Sequence, residues 1–125
     1  MDLAHGKFEV TVQNKLIYTV FNGSFNEHGI IAWHNSIKDI INSFDGQPFS
    51  MLINELNASG ATPKALAAGN KYNEWLNQQN LIAKAMVYSS DMLRDIDTMH
   101  LPARIEQNIE FFYTIADAEE WLESQ

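Results

Sequence analysis

Three short apolar runs, PFSMLIN (48–54), LIAKAMVY (81–88) and IEFFY (109–113), are each followed by a stretch with apolar residues at helical spacing. A run of this length next to turn residues reads as a buried strand. A helix between two such strands returns the chain to the end where it started, so successive strands become parallel neighbours, and the crossovers take the right-handed path. Upstream, KFEVTVQNKLIYTVFNG alternates with a period of two. Phe8, Val10 and Val12 share one face of a first strand, and Leu16, Tyr18 and Val20 one face of a second. The short polar link Gln13-Asn14-Lys15 makes the pair a hairpin. Ile17 and Phe21 add apolar residues to the other face of the second strand, which suits a more interior place. The expected order is strand, strand, helix, strand, helix, strand, short helix, strand, helix. This is an α/β chain with a mostly parallel mixed sheet, an N-terminal antiparallel hairpin and helices packed on it.

Helix starts are marked by capping residues. Ser24 with Glu27 fits a capping box ahead of Ile30, Trp33, Ile37, Ile40, Ile41 and Phe44, with Gly46 placed to end that helix. Thr62 caps the next helix, with Pro63 at its first position. Its Ala65, Ala68 and Gly69 form a small-residue patch suited to close packing or to leaving space for a ligand. Ser90 caps a short helix that Pro102 limits, and Thr114 with Asp117 opens the last one.

No linker, repeat or low-complexity segment divides the 125 residues, which are read as one domain, 1–125. An apolar fraction of 46% supports a core of its own. There is no cysteine, which excludes disulfides, thiol catalysis and zinc–thiolate sites. A formal net charge of -8 repels nucleic acid and anionic membranes, and no Lys/Arg cluster offsets it. No apolar run reaches the roughly 18 residues of a membrane span, so integral membrane association is not expected. The start, MDLAHGKFEV, lacks the pattern of a secretory signal. A cytoplasmic location is the resulting expectation.

Motifs that commit to catalysis are missing from the sequence. There is no Gly-Lys-Ser/Thr phosphate loop, no Gly-x-Ser-x-Gly elbow and no His-Glu-x-x-His pair. His5, His28, His34 and His100 are scattered. Asp91, Asp95 and Asp97 lack the glycine and terminal glutamate of a calcium loop. No metal, cofactor or catalytic residue is assigned, and no carboxylate pair stands out as one buried and one exposed. The sequons at Asn22 and Asn57 carry little weight without an export signal.

The strand pair ending in FNGSFNE, the FSMLIN and AKAMVY strands and the terminal IEFFYTIADAEEWL resemble the SpoIIAA-like group of STAS domains over nearly the whole chain. The resemblance implies a small α/β domain and two functional traditions. Anti-sigma-factor antagonists carry a phosphorylatable serine in an Asp-Ser-Ser-Gly sequence at a helix start, and phosphorylation switches binding to a kinase partner. CRAL-TRIO relatives enclose an apolar ligand such as a lipid. Ser59, before Gly60 and a helix, matches the phosphorylatable serine, but Asn57 and Ala58 replace the acidic residue and the first serine. The leading reading of NELNASGATPKAL (54–66) is a polar turn between strand and helix, with Ser59 as a phosphorylation candidate the alternative.

Binding in open α/β sheets occurs beyond the carboxyl ends of the parallel strands. That edge is expected to gather Asn22 and Ser24, then Glu55, Asn57 and Ser59, then Ser89, Ser90 and Asp91. The leading functional expectation is a non-catalytic protein-interaction or regulatory module using this rim. The alternative is a small apolar-ligand or lipid-binding protein, motivated by large apolar groups including Trp33, Tyr72, Trp75 and Met86. A homodimer is compatible with either.

Overall fold

The structure, a computed structural model, describes residues 3–125. Among these residues the elements are β1 (Lys7–Gln13), β2 (Leu16–Phe25), α1 (Glu27–Ser43), β3 (Phe49–Ala61), α2 (Pro63–Leu76), β4 (Leu81–Tyr88), α3 (Asp91–His100), a 3-10 segment (Pro102–Glu106), β5 (Ile109–Phe112) and α4 (Ile115–Glu123). The five strands lie in sequence order across one sheet. β1 and β2 are antiparallel, and every later neighbour is parallel. The hairpin turns on Asn14 and Lys15, with φ of 51° and 64°. Two consecutive left-handed residues match the twist of the flanking strands.

The strands step in one direction across the sheet, so right-handed crossovers place α1, α2 and α3 on the same face. On that face Ile17, Phe21, Met51, Ile53 and Met86 meet Trp33, Ile37 and Tyr72 in the main core. The opposite face is covered by α4, where Leu52, Ala85 and Val87 pack on Ala118, Trp121 and Leu122. Thr19 is a polar residue in the middle of this core. Its Oγ1 accepts a 3.1 Å hydrogen bond from Trp33 Nε1, so both polar atoms are satisfied without water.

Two local expectations are corrected. The cap of α1 is Asn26, not Ser24: Asn26 Oδ1 accepts from Gly29 N at 2.9 Å and from His5 N at 3.0 Å. Asn26 Nδ2 also donates to Leu3 O at 2.7 Å. Ser24 is unavailable as a cap because β2 runs on to Phe25, and Ser24 pairs with Gly60 in the sheet. The close approach of the N-terminal segment requires Gly29, where an added Cβ would lie 2.1 Å from His5 O. Asn26→Ala should therefore lose about 1–2 kcal/mol in urea unfolding, and Ser24→Ala no more than a few tenths.

The second correction concerns residues 54–61. They form an extension of β3, not a polar turn, and pair with the tail of β2 through Asn22↔Asn57, Gly23↔Ala58 and Phe25↔Ala61. Asn, Ser and Gly favour turns locally, but an available partner strand overrides that preference. Register shifts between Val20/Asn22 and Gly23/Ser24 absorb the mismatch, and Gly23 (φ 83°) and Gly60 (φ 125°) occur in this irregular pairing.

Candidate functional site in the cavity beneath the third helix

Alternation along β3 and β4 decides which side chains enter the main core. On β3 the inward series Phe49, Met51, Ile53 ends in Glu55, and on β4 Lys84, Met86 and Tyr88 share the same face. Three ionisable or hydroxyl groups thus lie among apolar side chains on one face of the parallel strands, Tyr88 at the carboxyl end of β4 and Lys84 in its middle. Asp97 of α3 and Arg104 of the 3-10 segment join them from above. Lys84 and Arg104 are 2% and 4% exposed.

Hydrogen bonds organise the group into two chains. Arg104 Nη1 donates to Tyr88 OH at 2.9 Å, and Tyr88 OH donates to Asp97 Oδ2 at 2.7 Å. Lys84 Nζ donates to Asn73 Oδ1 at 2.7 Å, and Gln107 Nε2 donates to the same oxygen at 3.0 Å. Asn73 is held by its own Nδ2, which donates to Gly69 O at 2.8 Å. Four buried polar atoms of the described residues have no partner: Glu55 Oε2, Arg104 Nε, Gln107 Oε1 and His34 Nε2. Such atoms are rare in folded proteins, because each forfeits its hydration. Two of them, on Glu55 and Arg104, belong to residues that line the same cavity.

That cavity has a volume of about 80 Å³, and an adjoining one of about 40 Å³ shares Phe21, Ile30, Glu55, Ala61 and Asp97 with it. Trp33, Ile53, Met86 and Leu66 supply apolar wall, and Gly69 and Ala65 keep α2 thin where it passes. The small-residue patch thus does both things considered for it. Gly69 lets Leu101 approach, since an added Cβ would meet Leu101 Cδ2 at 3.3 Å, and it also borders the space.

Electrostatics follow from burial. Burial, then the charge of Asp97, pushes the Glu55 carboxyl well above the usual carboxylate range. Burial, then the positive charge of Arg104, holds the Lys84 amine well below that of an ordinary lysine. Tyr88 is raised, first by burial and then by Glu55. The site therefore favours an uncharged acid and an uncharged amine around one space. His34 lies outside it, against Tyr72 and Trp75, with its pKa lowered to about 4 by burial and then by Lys38.

No protein-family model and no curated protein matches this chain. Among solved structures, it is similar to an uncharacterised protein of the DUF3478 family from Shewanella loihica PV-4, described as having a SpoIIAA-like fold. The two share 13% identity with a TM-score of 0.70, over 98% of this chain and 97% of the other. The chain has a SpoIIAA-like fold. At that identity the likeness extends to the fold alone, and the site stands on its own residues.

Within the SpoIIAA-like frame, the residues expected to form one rim separate. Glu55 turns into the cavity. Asn22, Ser24, Asn57 and Ser59 lie on the β2–β3 extension, with Ser59 exposed on a strand and four positions ahead of the α2 start at Pro63. Ser90 Oγ is occupied as the cap of α3, accepting from Leu93 N at 3.3 Å. Asp91 is exposed, accepts from Tyr113 OH and faces Arg94 Nη1 at 3.7 Å. Ser89 is exposed beside it. Lys84, Tyr88, Asp97, Arg104 and Asn73 were not expected in the site. No helix among the described residues is long and apolar enough to cross a membrane.

Proposed function

We propose that this domain is a ligand-responsive regulatory module that works without catalytic turnover. A small molecule with a polar end and a short apolar body occupies the cavity beneath α3, and occupancy alters the face that α3 offers to a protein partner. The observation that carries this reading is the pairing of an apolar-walled cavity with buried, unpartnered polar atoms on Glu55 and Arg104. A polar ligand end would satisfy both, which repays their desolvation.

The lid supports the regulatory half. α3 has no buried residue. It is held over the cavity by Leu93, by the Tyr88–Asp97 hydrogen bond and by Tyr113 OH, which donates to Asp91 and accepts from Arg94 Nη1. Its outward face carries Met92 and Met99, 67% and 75% exposed, with Ile96 between them at helical spacing. A lightly docked helix with an apolar outer stripe is suited to responding to what lies beneath it.

A lipid is the weaker occupant. About 80 Å³ is roughly half of an apolar cavity that takes benzene, and far below the roughly 300 Å³ at the lower end of ligand pockets. Of the larger hollows, the one of about 580 Å³ lies at the other end of the sheet, by the β1–β2 turn, and the one of about 520 Å³ shares Leu101 and Arg104 with the cavity but neither Glu55 nor Lys84.

The test is an amide NMR screen of small polar-ended fragments. Binding should move the signals of Glu55, Met86 and Leu101 together. Ala61→Leu, which adds volume at an exposed wall position shared by the two hollows, should weaken those shifts and leave the rest of the spectrum folded. A broad panel that never perturbs the cavity residues sinks the proposal.

A further inference from the structure

We infer that Lys84 is a nucleophilic amine that captures a small carbonyl compound in this cavity as a Schiff base, with Glu55 as its proton carrier. The inference rests on the ligand-binding reading above and names the chemical class of the ligand.

A lysine buried for structural reasons is expected to meet a carboxylate. Lys84 does not: among the described residues its hydrogen-bond partner is the neutral Asn73 Oδ1 and its amine faces the Tyr72 ring, while Glu55 is hydrogen-bonded to Asp97 and Tyr88 and keeps one oxygen, Oε2, without a partner. The two groups line one cavity without closing on each other. An uncharged amine has two N–H bonds and a lone pair. Asn73 Oδ1 takes one N–H and is locked by Gly69 O and Gln107, so it fixes the amine while leaving the lone pair for the cavity. Burial and the charge of Arg104 favour that uncharged form, which is the nucleophile. The cavity has room for a compound of a few non-hydrogen atoms, and its wall offers Ile53, Met86 and Trp33 to a short alkyl group.

The chemistry balances within these residues. The nitrogen lone pair forms the C–N bond as the carbonyl π pair moves to oxygen, which takes the proton of the Glu55 carboxyl. The nitrogen then returns a proton to Glu55, giving a carbinolamine. A second transfer from Glu55 lets the hydroxyl leave as water while the nitrogen lone pair forms C=N, and the iminium proton restores the Glu55 carboxyl. Amine and carbonyl become imine and water, and hydrolysis runs the same path backwards, so capture is reversible.

The experiment is reductive trapping of the full chain with sodium cyanoborohydride and either propanal or pyruvate, read by peptide mass mapping. The expected product is one adduct, on Lys84, formed at least about tenfold faster than on any exposed lysine. Glu55→Gln should slow it about a hundredfold, and Lys84→Met should remove it. Trapping of propanal alone assigns a simple aldehyde or ketone, whereas trapping of pyruvate assigns a 2-oxo acid whose carboxylate reaches Arg104. Label on exposed lysines with Lys84 no faster than they are overturns the inference. If the carbonyl compounds then shift Met86 and Leu101 in NMR without trapping, the cavity is still a binding site and only the covalent step is wrong. If no compound of any class shifts them, both readings fall.

Discussion

Arg104→Met should cost about 3 kcal/mol of folding stability in urea unfolding at neutral pH. Arg104 is 4% exposed, donates to Tyr88 OH, and stacks its guanidinium 5.3 Å from the centre of the Phe111 ring. Methionine keeps much of the volume and the ring contact. What it removes is the positive charge facing Glu55 and Asp97, and the donor to a buried hydroxyl. Removing one member of a buried hydrogen-bonded polar group leaves its partner Tyr88 without its donor, which is costlier than never burying the group. The same logic predicts coupling. Asp97→Asn in the Arg104→Met background changes the other partner of the same Tyr88 hydroxyl, so the double variant should be more stable than the sum of the single losses by about 1 kcal/mol or more. Strict additivity would show that Arg104 acts by packing alone.

The fold was legible because each level of the sequence agreed with the next. LIAKAMVY is β4 to the residue, Thr62-Pro63 opens α2 with Thr62 Oγ1 accepting from Ala65 N, and Ser90 and Thr114 cap their helices. The failures have one cause in common, contact with distant chain. Residues 54–61 look like a turn until the tail of β2 is beside them, and that same pairing takes Ser24 out of its expected cap.

The site was half legible. A lone lysine between alanines in an apolar strand, on the same face as Met86 and Tyr88, is a signal that strand alternation exposes. Glu55, two positions beyond Ile53, is another. Arg104 could not be placed this way. Its direction depends on how the 3-10 segment docks on α2, through Asn70 Oδ1 accepting from Ala103 N and Asn77 Nδ2 donating to Ala103 O. Asp97 was visible only as one of three neighbouring aspartates, and its distinct role comes from the Tyr88 hydroxyl beneath it.

Lys84→Met should raise folding stability by roughly 2 kcal/mol at pH 7. The direction follows from the lowered pKa: burial and Arg104 together outweigh the attraction of Glu55 and Asp97, so the folded state disfavours the ammonium. Nor does the substitution orphan Asn73, whose Oδ1 keeps the Gln107 donor. A group with a depressed folded pKa binds fewer protons folded than unfolded in the window between the two values, so wild-type stability rises with pH across it. The advantage of Lys84→Met should therefore be larger at neutral pH than at pH 10, shrinking as pH climbs towards 10.5, the ordinary lysine value. Urea midpoints at pH 7 and pH 10 read this directly. A variant that is more stable and no longer captures a carbonyl compound would mean that the chain keeps Lys84 at a stability cost, for its chemistry. A variant that is less stable at pH 7 would make the amine a structural element and remove the physical basis for a nucleophile in this cavity.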